Sequence, residues 1–240
     1  MAIEAPRRLA LDIETISPPL NPDDDPNFDD PTDFELAAIG FAYDTGAEDA
    51  APETDILYRQ DMTPEAEYQP LAQINDEIAA FAPDQIVTYA GDFFDLPLLK
   101  QRPIESVDHD KGAELADNMT ATLDAAESVD LSDPAADAYG YGTRLDDLIQ
   151  HRGLPLRKTH FTDYDHGMDL DAIRPSDAST SYVDSSDVPG IMETWLHARS
   201  DEHSAIGPCN PEVTDALITD YVLGDIEHLL ALADQLPFDH

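Results

Sequence analysis

The last periodic segment, residues 212–236, constrains the chain most. At about 100° per residue, Leu217, Ile218, Tyr221, Val222, Leu229, Leu232 and Leu236 fall in one apolar stripe, the pattern of a helix that buries one face. Asp225 lies in the middle of that stripe. Desolvating a carboxylate costs several kcal/mol, so one faces a core only when it is paired or bound to a cation. Two partners are open to it: one of the chain's nine arginines, or a metal ion. Tyr221 sits one turn earlier on the same face, an i,i+4 neighbour of Asp225.

Ahead of this helix the chain switches between two periods. Residues 8–14 (RLALDIE) place Leu9, Leu11 and Ile13 on one face and Ala10, Asp12 and Glu14 on the other, as a strand does. Residues 35–43 and 54–58 read as two more strands, paired as a meander. Pro64 opens a helix with Leu71, Ile74, Ile78 and Phe81 at helical spacing, and Pro83 closes it. Residues 85–90 form a short apolar run suited to a buried central strand. Helices are expected from near Asp95, over 143–152 up to Gly153-Leu154-Pro155, and over 190–199. Residues 17–33, rich in Pro, Asp and Asn, and the acidic stretch 106–138 read as insertions, the latter with room for a strand at 126–131; residues 156–189 read as loop. This order implies one α/β domain over residues 1–240, a mixed sheet flanked by helices.

Composition narrows the chemistry. The single cysteine, Cys209, excludes an internal disulfide and a cysteine zinc cage. No run of 18 apolar residues exists, and the N-terminus has no signal-like apolar core, so no membrane association and a cytoplasmic location are expected. Asp and Glu number 52 against 12 Lys and Arg, a net charge of −40. Such a chain would ordinarily be disordered, yet its apolar residues are periodic. This is the pattern of a protein adapted to a salt-rich, halophilic cytoplasm: self-repulsion opposes folding, and at 1 M salt a Debye length of roughly 3 Å screens it. Short acidic motifs therefore arise by chance here, and only carboxylates in unexpected places carry weight.

Two more such places exist. Asp12 and Glu14 share a strand face, where two carboxylates repel unless a cation lies between them; a solvated acidic edge would fit the same pattern. Asp95 follows the apolar strand within Phe93-Phe94-Asp95-Leu96-Pro97. It suits a helix N-cap, and the carboxyl end of a strand also faces the crevice where α/β proteins bind ligands.

The segments Leu11-Asp12-Ile13-Glu14-Thr15, YAGDFFDLPLL (Tyr89 to Leu99) and Tyr221-Val222-Leu223-Gly224-Asp225 resemble, in order and approximate spacing, the three motifs of the DEDD exonuclease superfamily, in its tyrosine-bearing branch. The segment from Tyr89 to Leu99 is most similar to that of the proofreading domain of family-B DNA polymerases, although Ala90 stands where those domains often carry Asn. The resemblance implies a ribonuclease-H-like fold and a stand-alone, metal-dependent 3′-5′ exonuclease acting on single-stranded 3′ ends. It implies Asp12, Glu14, Asp95 and Asp225 as ligands of two divalent cations, Mg²⁺ or Mn²⁺, an oxygen-only set that suits these ions. Asp12, Glu14 and Asp225 would hold the ion that activates water, Asp12 and (through a water) Asp95 the second, and Tyr221 would orient the attacking water. Phe93 or Phe94 would stack on a terminal base, unless it packs in the core. Lys100 with Arg102, and Arg157 with Lys158 beside His160, would touch phosphates, unless they serve as salt-bridge partners on the acidic surface. A catalytically silent nucleic-acid-binding protein of this fold, or a member acting on RNA or cutting internally, stays open.

Overall fold

The computed structural model describes residues 5–18, 26–28, 30–47, 50–107, 109–174, 180–200 and 209–238. Its strands are β1 (Arg8–Ile16), β2 (Glu35–Asp44), β3 (Glu53–Tyr58), β4 (Gln85–Thr88) and β5 (Glu127–Asp130), in the order β3-β2-β1-β4-β5. The first three form the expected antiparallel meander; β4 and β5 run parallel to β1. Parallel neighbours need long returns. Helix α1 (Pro64–Phe81) makes the first of these, and α2 (Asp95–Ser106) with α3 (His109–Asp124) the second. After the sheet come α4 (Ser132–Tyr139), α5 (Leu145–His151), α6 (Leu170–Ile173), α7 (Val188–Arg199), α8 (Pro211–Ile226) and α9 (Leu229–Ala233). This is an α/β, ribonuclease-H-like fold, a mixed sheet flanked by helices.

The alternation of β1 sorts the helices into layers. Leu9, Leu11 and Ile13 pack with Leu71, Ile74 and Ile78 of α1, Leu98 and Leu99 of α2, and Leu115 and Met119 of α3. The opposite face carries Ala10, Asp12, Glu14 and Ile16. Ile16 joins one apolar cluster with Trp195 of α7 and Leu217 and Val222 of α8, and Ala10 joins another with Ile226 and Leu229. The two acids lie between these clusters, where burial of each large apolar side chain stabilises the fold by about 1.5–3 kcal/mol.

Residues 106–138 are not an insertion. They contain α3, which belongs to the second parallel return, β5, the strand to which it leads, and nearly all of α4. Leu115, Met119 and Leu123 recur every fourth residue on the inner face of α3, and the acids occupy its outer side. Of the stretch 17–33, residues 19–25 and 29 lie outside the described residues, and Pro31–Asp33 form one 3-10 turn. The final helix is also two helices: α8 ends at Ile226, and the chain turns at Glu227-His228 before α9. His228 is tied there, its Nε2 lying 2.9 Å from the Pro155 carbonyl.

Candidate active site

The site forms where β1 outruns its parallel neighbour. Pairing with β4 stops at Ala10–Val87, so Asp12 and Glu14 stand at an open crevice beyond the carboxyl end of β4. Just past Glu14 the register with β2 slips by one residue, from Glu14–Ala38 to Thr15–Leu36, a bulge of the kind that re-aims side chains beside functional sites. Directly across from Asp12 on β2 is Gly40. A Cβ there would meet Val222 Cγ1 at 2.5 Å and Ile226 Cγ2 at 3.3 Å, so glycine lets α8 lie against the sheet. That approach delivers Asp225. One carboxylate oxygen from each of Asp12, Glu14 and Asp225 lies within 4.8 Å of the others.

Asp95 is close to this trio but not within it. It occupies the first turn of α2 after Phe94, and is 6% exposed. Its Oδ2 is buried without a hydrogen-bond donor, so helix capping does not account for it. Glu14 Oε1 is likewise buried and without a donor. Buried acceptors left unpaired are costly, and a cation is the partner that would satisfy two such carboxylates at once.

The electrostatics point the same way. Burial, then the charges of Asp95 and Asp225, push Asp12 well above its ordinary range. Burial, then Asp12, Asp225 and Asp95, do the same to Glu14. Burial and the neighbouring Asp130 raise Asp95 to about 8. Burial raises Asp225 to about 6 against the hydrogen bond from Tyr221, with Asp146 adding to the rise and Lys158 and Arg144 opposing it. Burial and Asp225 hold the Tyr221 hydroxyl protonated. Near neutral pH these four carboxyls cannot all be charged without added positive charge. Arginine supplies only part of it, through Arg144 acting on Asp225. Among the described residues the most buried arginines are engaged elsewhere, Arg59 with Glu35, Arg102 with Glu67 and Arg174 with Asp187. The donor set is oxygen only, which fits Mg²⁺ or Mn²⁺.

A cavity of about 440 Å³ opens over the trio, and Tyr221 and Lys158 line it. Lys158 is ion-paired to Asp146 and lies 4.7 Å from the Tyr182 ring centre. Arg144 on the same wall bonds Asp184 at 3.0 Å and is otherwise largely open to solvent. The sequence reading missed Arg144, whose only signal is its place ahead of the α5 helix, and Gly40, which has none until α8 is laid on the sheet.

The other basic residues fall elsewhere. Arg102 is buried in a two-pronged pair with Glu67, at 2.8 and 2.7 Å, so it is a core ion pair and no phosphate contact. Lys100 bonds Asp124 of α3 at 2.6 Å, away from the cavity. Arg157 is outside the cavity lining, 3.5 Å from Glu227. The two phenylalanines separate. Phe94 packs edge-on against Phe34 with ring centres 4.9 Å apart, whereas Phe93 is 70% exposed. Phe93 and Phe28 line a further, aromatic cleft of about 220 Å³.

No protein-family model and no curated protein matches the chain. Its fold resembles that of the family B DNA polymerase from the hyperthermophilic archaeon Pyrobaculum calidifontis, with a TM-score of 0.55 and 18% identity over 96% of this chain and 24% of the polymerase. The zinc-bound E. coli exonuclease I–single-stranded DNA complex overlaps 89% of this chain and 43% of that one, with a TM-score of 0.36 and 15% identity, too loose a match to carry an argument. The chain thus spans about a quarter of the polymerase, and the likeness to it is one of fold.

Proposed function

We propose that this chain is a metal-dependent 3′-5′ exonuclease of the tyrosine-bearing DEDD type, removing nucleotides from single-stranded 3′ ends. The observation that carries the reading is the convergence of Asp12, Glu14 and Asp225 within 4.8 Å in a cavity whose two cationic side chains among the described residues, Lys158 and Arg144, act on Asp225 and are themselves paired with Asp146 and Asp184. Asp12, Glu14 and Asp225 would hold one divalent cation, and Asp12 with Asp95, through a water, a second. When bound, such a pair supplies an activated water and stabilises the leaving oxygen.

The chain's own side chains do the positioning. The Tyr221 hydroxyl is held protonated and donates to Asp225; a cation that takes up that carboxylate would free the O–H to orient the attacking water. Lys158 and Arg144, which line the same cavity, offer positive charge to a phosphate, and Asp146 and Asp184 keep them in place beforehand. Counterion release gives little affinity in concentrated salt, so base stacking on Phe93 supplies much of the hold on the strand. Stacking needs unpaired bases, which favours a single strand.

The test uses single-stranded DNA labelled at its 5′ end, with Mn²⁺ in concentrated KCl and a matched RNA alongside. Wild type should release mononucleotides and leave a ladder that shortens from the 3′ end, and Asp225→Ala should release none. Equal release by both would remove the assignment, and mid-chain cuts would make the enzyme an endonuclease.

A further inference from the structure

Asp130, the last residue of β5, lies outside all three carboxylate segments. Its Oδ1 accepts the backbone N–H of Ala90 at 2.8 Å and of Ser132 at 2.9 Å, and its Oδ2 accepts that of Asp92 at 3.0 Å. Both oxygens are thus committed to amides, which makes Asp130 a poor candidate for a metal ligand despite its nearness to Asp95.

The turn it holds is unusual. Ala90 has φ of 63°, the left-handed region that a residue with a Cβ enters only when its surroundings compel it. Phe93 N–H then bonds the Ala90 carbonyl at 3.2 Å and Leu96 N–H the Gly91 carbonyl at 2.9 Å, which brings the chain round to Asp95. Another tie comes from the same strand, where the Ser128 hydroxyl bonds the Asp92 carboxylate at 2.5 Å. Leu131 N–H bonds the Thr88 carbonyl at 2.9 Å and locks β5 to the strand that feeds the turn.

We propose that Asp130 is the positioning residue for Asp95: through the 90–92 amides it fixes the turn that sets Asp95 beside Asp12. The proposal rests on the metal-centre reading above and concerns the second cation, the one Asp95 serves. Outer partners of this kind typically change metal affinity by roughly 10- to 100-fold.

The test is direct Mn²⁺ binding, followed by the electron paramagnetic resonance of free Mn²⁺, with thermal melts in EDTA. Wild type should bind two Mn²⁺. Asp130→Asn can keep both Oδ1 bonds but turns an NH₂ toward the Asp92 amide. It should melt within a few degrees of wild type, weaken one site about tenfold and leave the other within about twofold. Ser128→Ala, which removes only the hydroxyl tie to Asp92, should shift the same site in the same direction by less. Asp95→Asn should weaken that site too, and adding Asp130→Asn to it should weaken it no further. The proposal is overturned if Asp130→Asn binds both ions as wild type does, weakens both equally, or adds its full effect to Asp95→Asn. If wild type binds no Mn²⁺, the metal-centre reading itself falls, and this one with it.

Discussion

With divalent ions chelated, the fold should lose stability as the pH rises from 5 to 8. Asp95 carries the clearest part of the effect, its carboxyl being raised from 3.8 to about 8 by burial and Asp130. In the unfolded chain this group is ionised throughout that range, whereas in the fold it keeps its proton until the pH passes about 8. The folded state therefore binds more protons, and stability falls by about 1.4 kcal/mol per pH unit for each such group. Over three units Asp95 alone removes about 4 kcal/mol, a large share of the 5–15 kcal/mol of an ordinary domain. Asp225, raised to about 6, steepens the fall below that pH, and Asp12 and Glu14 act in the same direction. His166, held below 6.5 by burial, works the opposite way, its part complete once the pH exceeds that value. Urea unfolding followed by far-ultraviolet circular dichroism, at fixed high KCl with EDTA, measures the slope. Saturating Mn²⁺ should flatten it, because a cation replaces the retained protons, and Asp95→Asn should flatten much of it without metal. Stability in EDTA that is constant or rises from pH 5 to 8 would refute the reasoning.

Gly40→Val should force α8 away from the sheet, since even a Cβ there lies 2.5 Å from Val222 Cγ1. A loss of about 1–3 kcal/mol in unfolding free energy is expected, together with a drop of about 10²-fold in kcat, because displacement of Asp225 by 1 Å is enough. Tyr221→Phe should lower kcat by about 10²-fold in steady-state kinetics while KM holds, because it removes the hydroxyl that orients the water. Phe93→Ala should raise KM for single-stranded DNA by the loss of about 1–3 kcal/mol of stacking while kcat holds, as steady-state kinetics in high KCl would show. Arg102→Ala should destabilise the protein by about 3–5 kcal/mol by stranding Glu67 in the core, seen as a lower melting temperature, with KM unaltered in whatever remains folded.

How much of this was legible before folding depended on whether the signal was local. The alternation of residues 8–14 placed Asp12 and Glu14 on one strand face, and the helical period of the last segment put Asp225 in an apolar stripe; both depend on neighbours a turn away at most. The same period hid the break at Glu227-His228, because Leu229 and Leu232 continue it across the turn. In residues 106–138 the acidic outer surface masked the four-residue spacing of Leu115, Met119 and Leu123, and an integral helix was read as an insertion. The basic residues divided for another reason. Arg102 lies near Asp95 in sequence, but its partner Glu67 comes from α1, whereas Arg144 and Lys158 reach the cavity wall from beyond β5. Gly40 and Asp130 left no trace in the sequence, since each matters only through what another element brings against it.

The central claim is that Asp12, Glu14 and Asp225, with Asp95 behind them, form a cradle for paired cations. Anomalous diffraction from crystals soaked in Mn²⁺ tests it most directly. Two peaks about 3.5–4 Å apart are expected, one enclosed by Asp12, Glu14 and Asp225 and the other on the Asp95 side of Asp12. Density without a peak among these carboxyls at saturating Mn²⁺, with Asp225 closed instead onto Lys158, would contradict it.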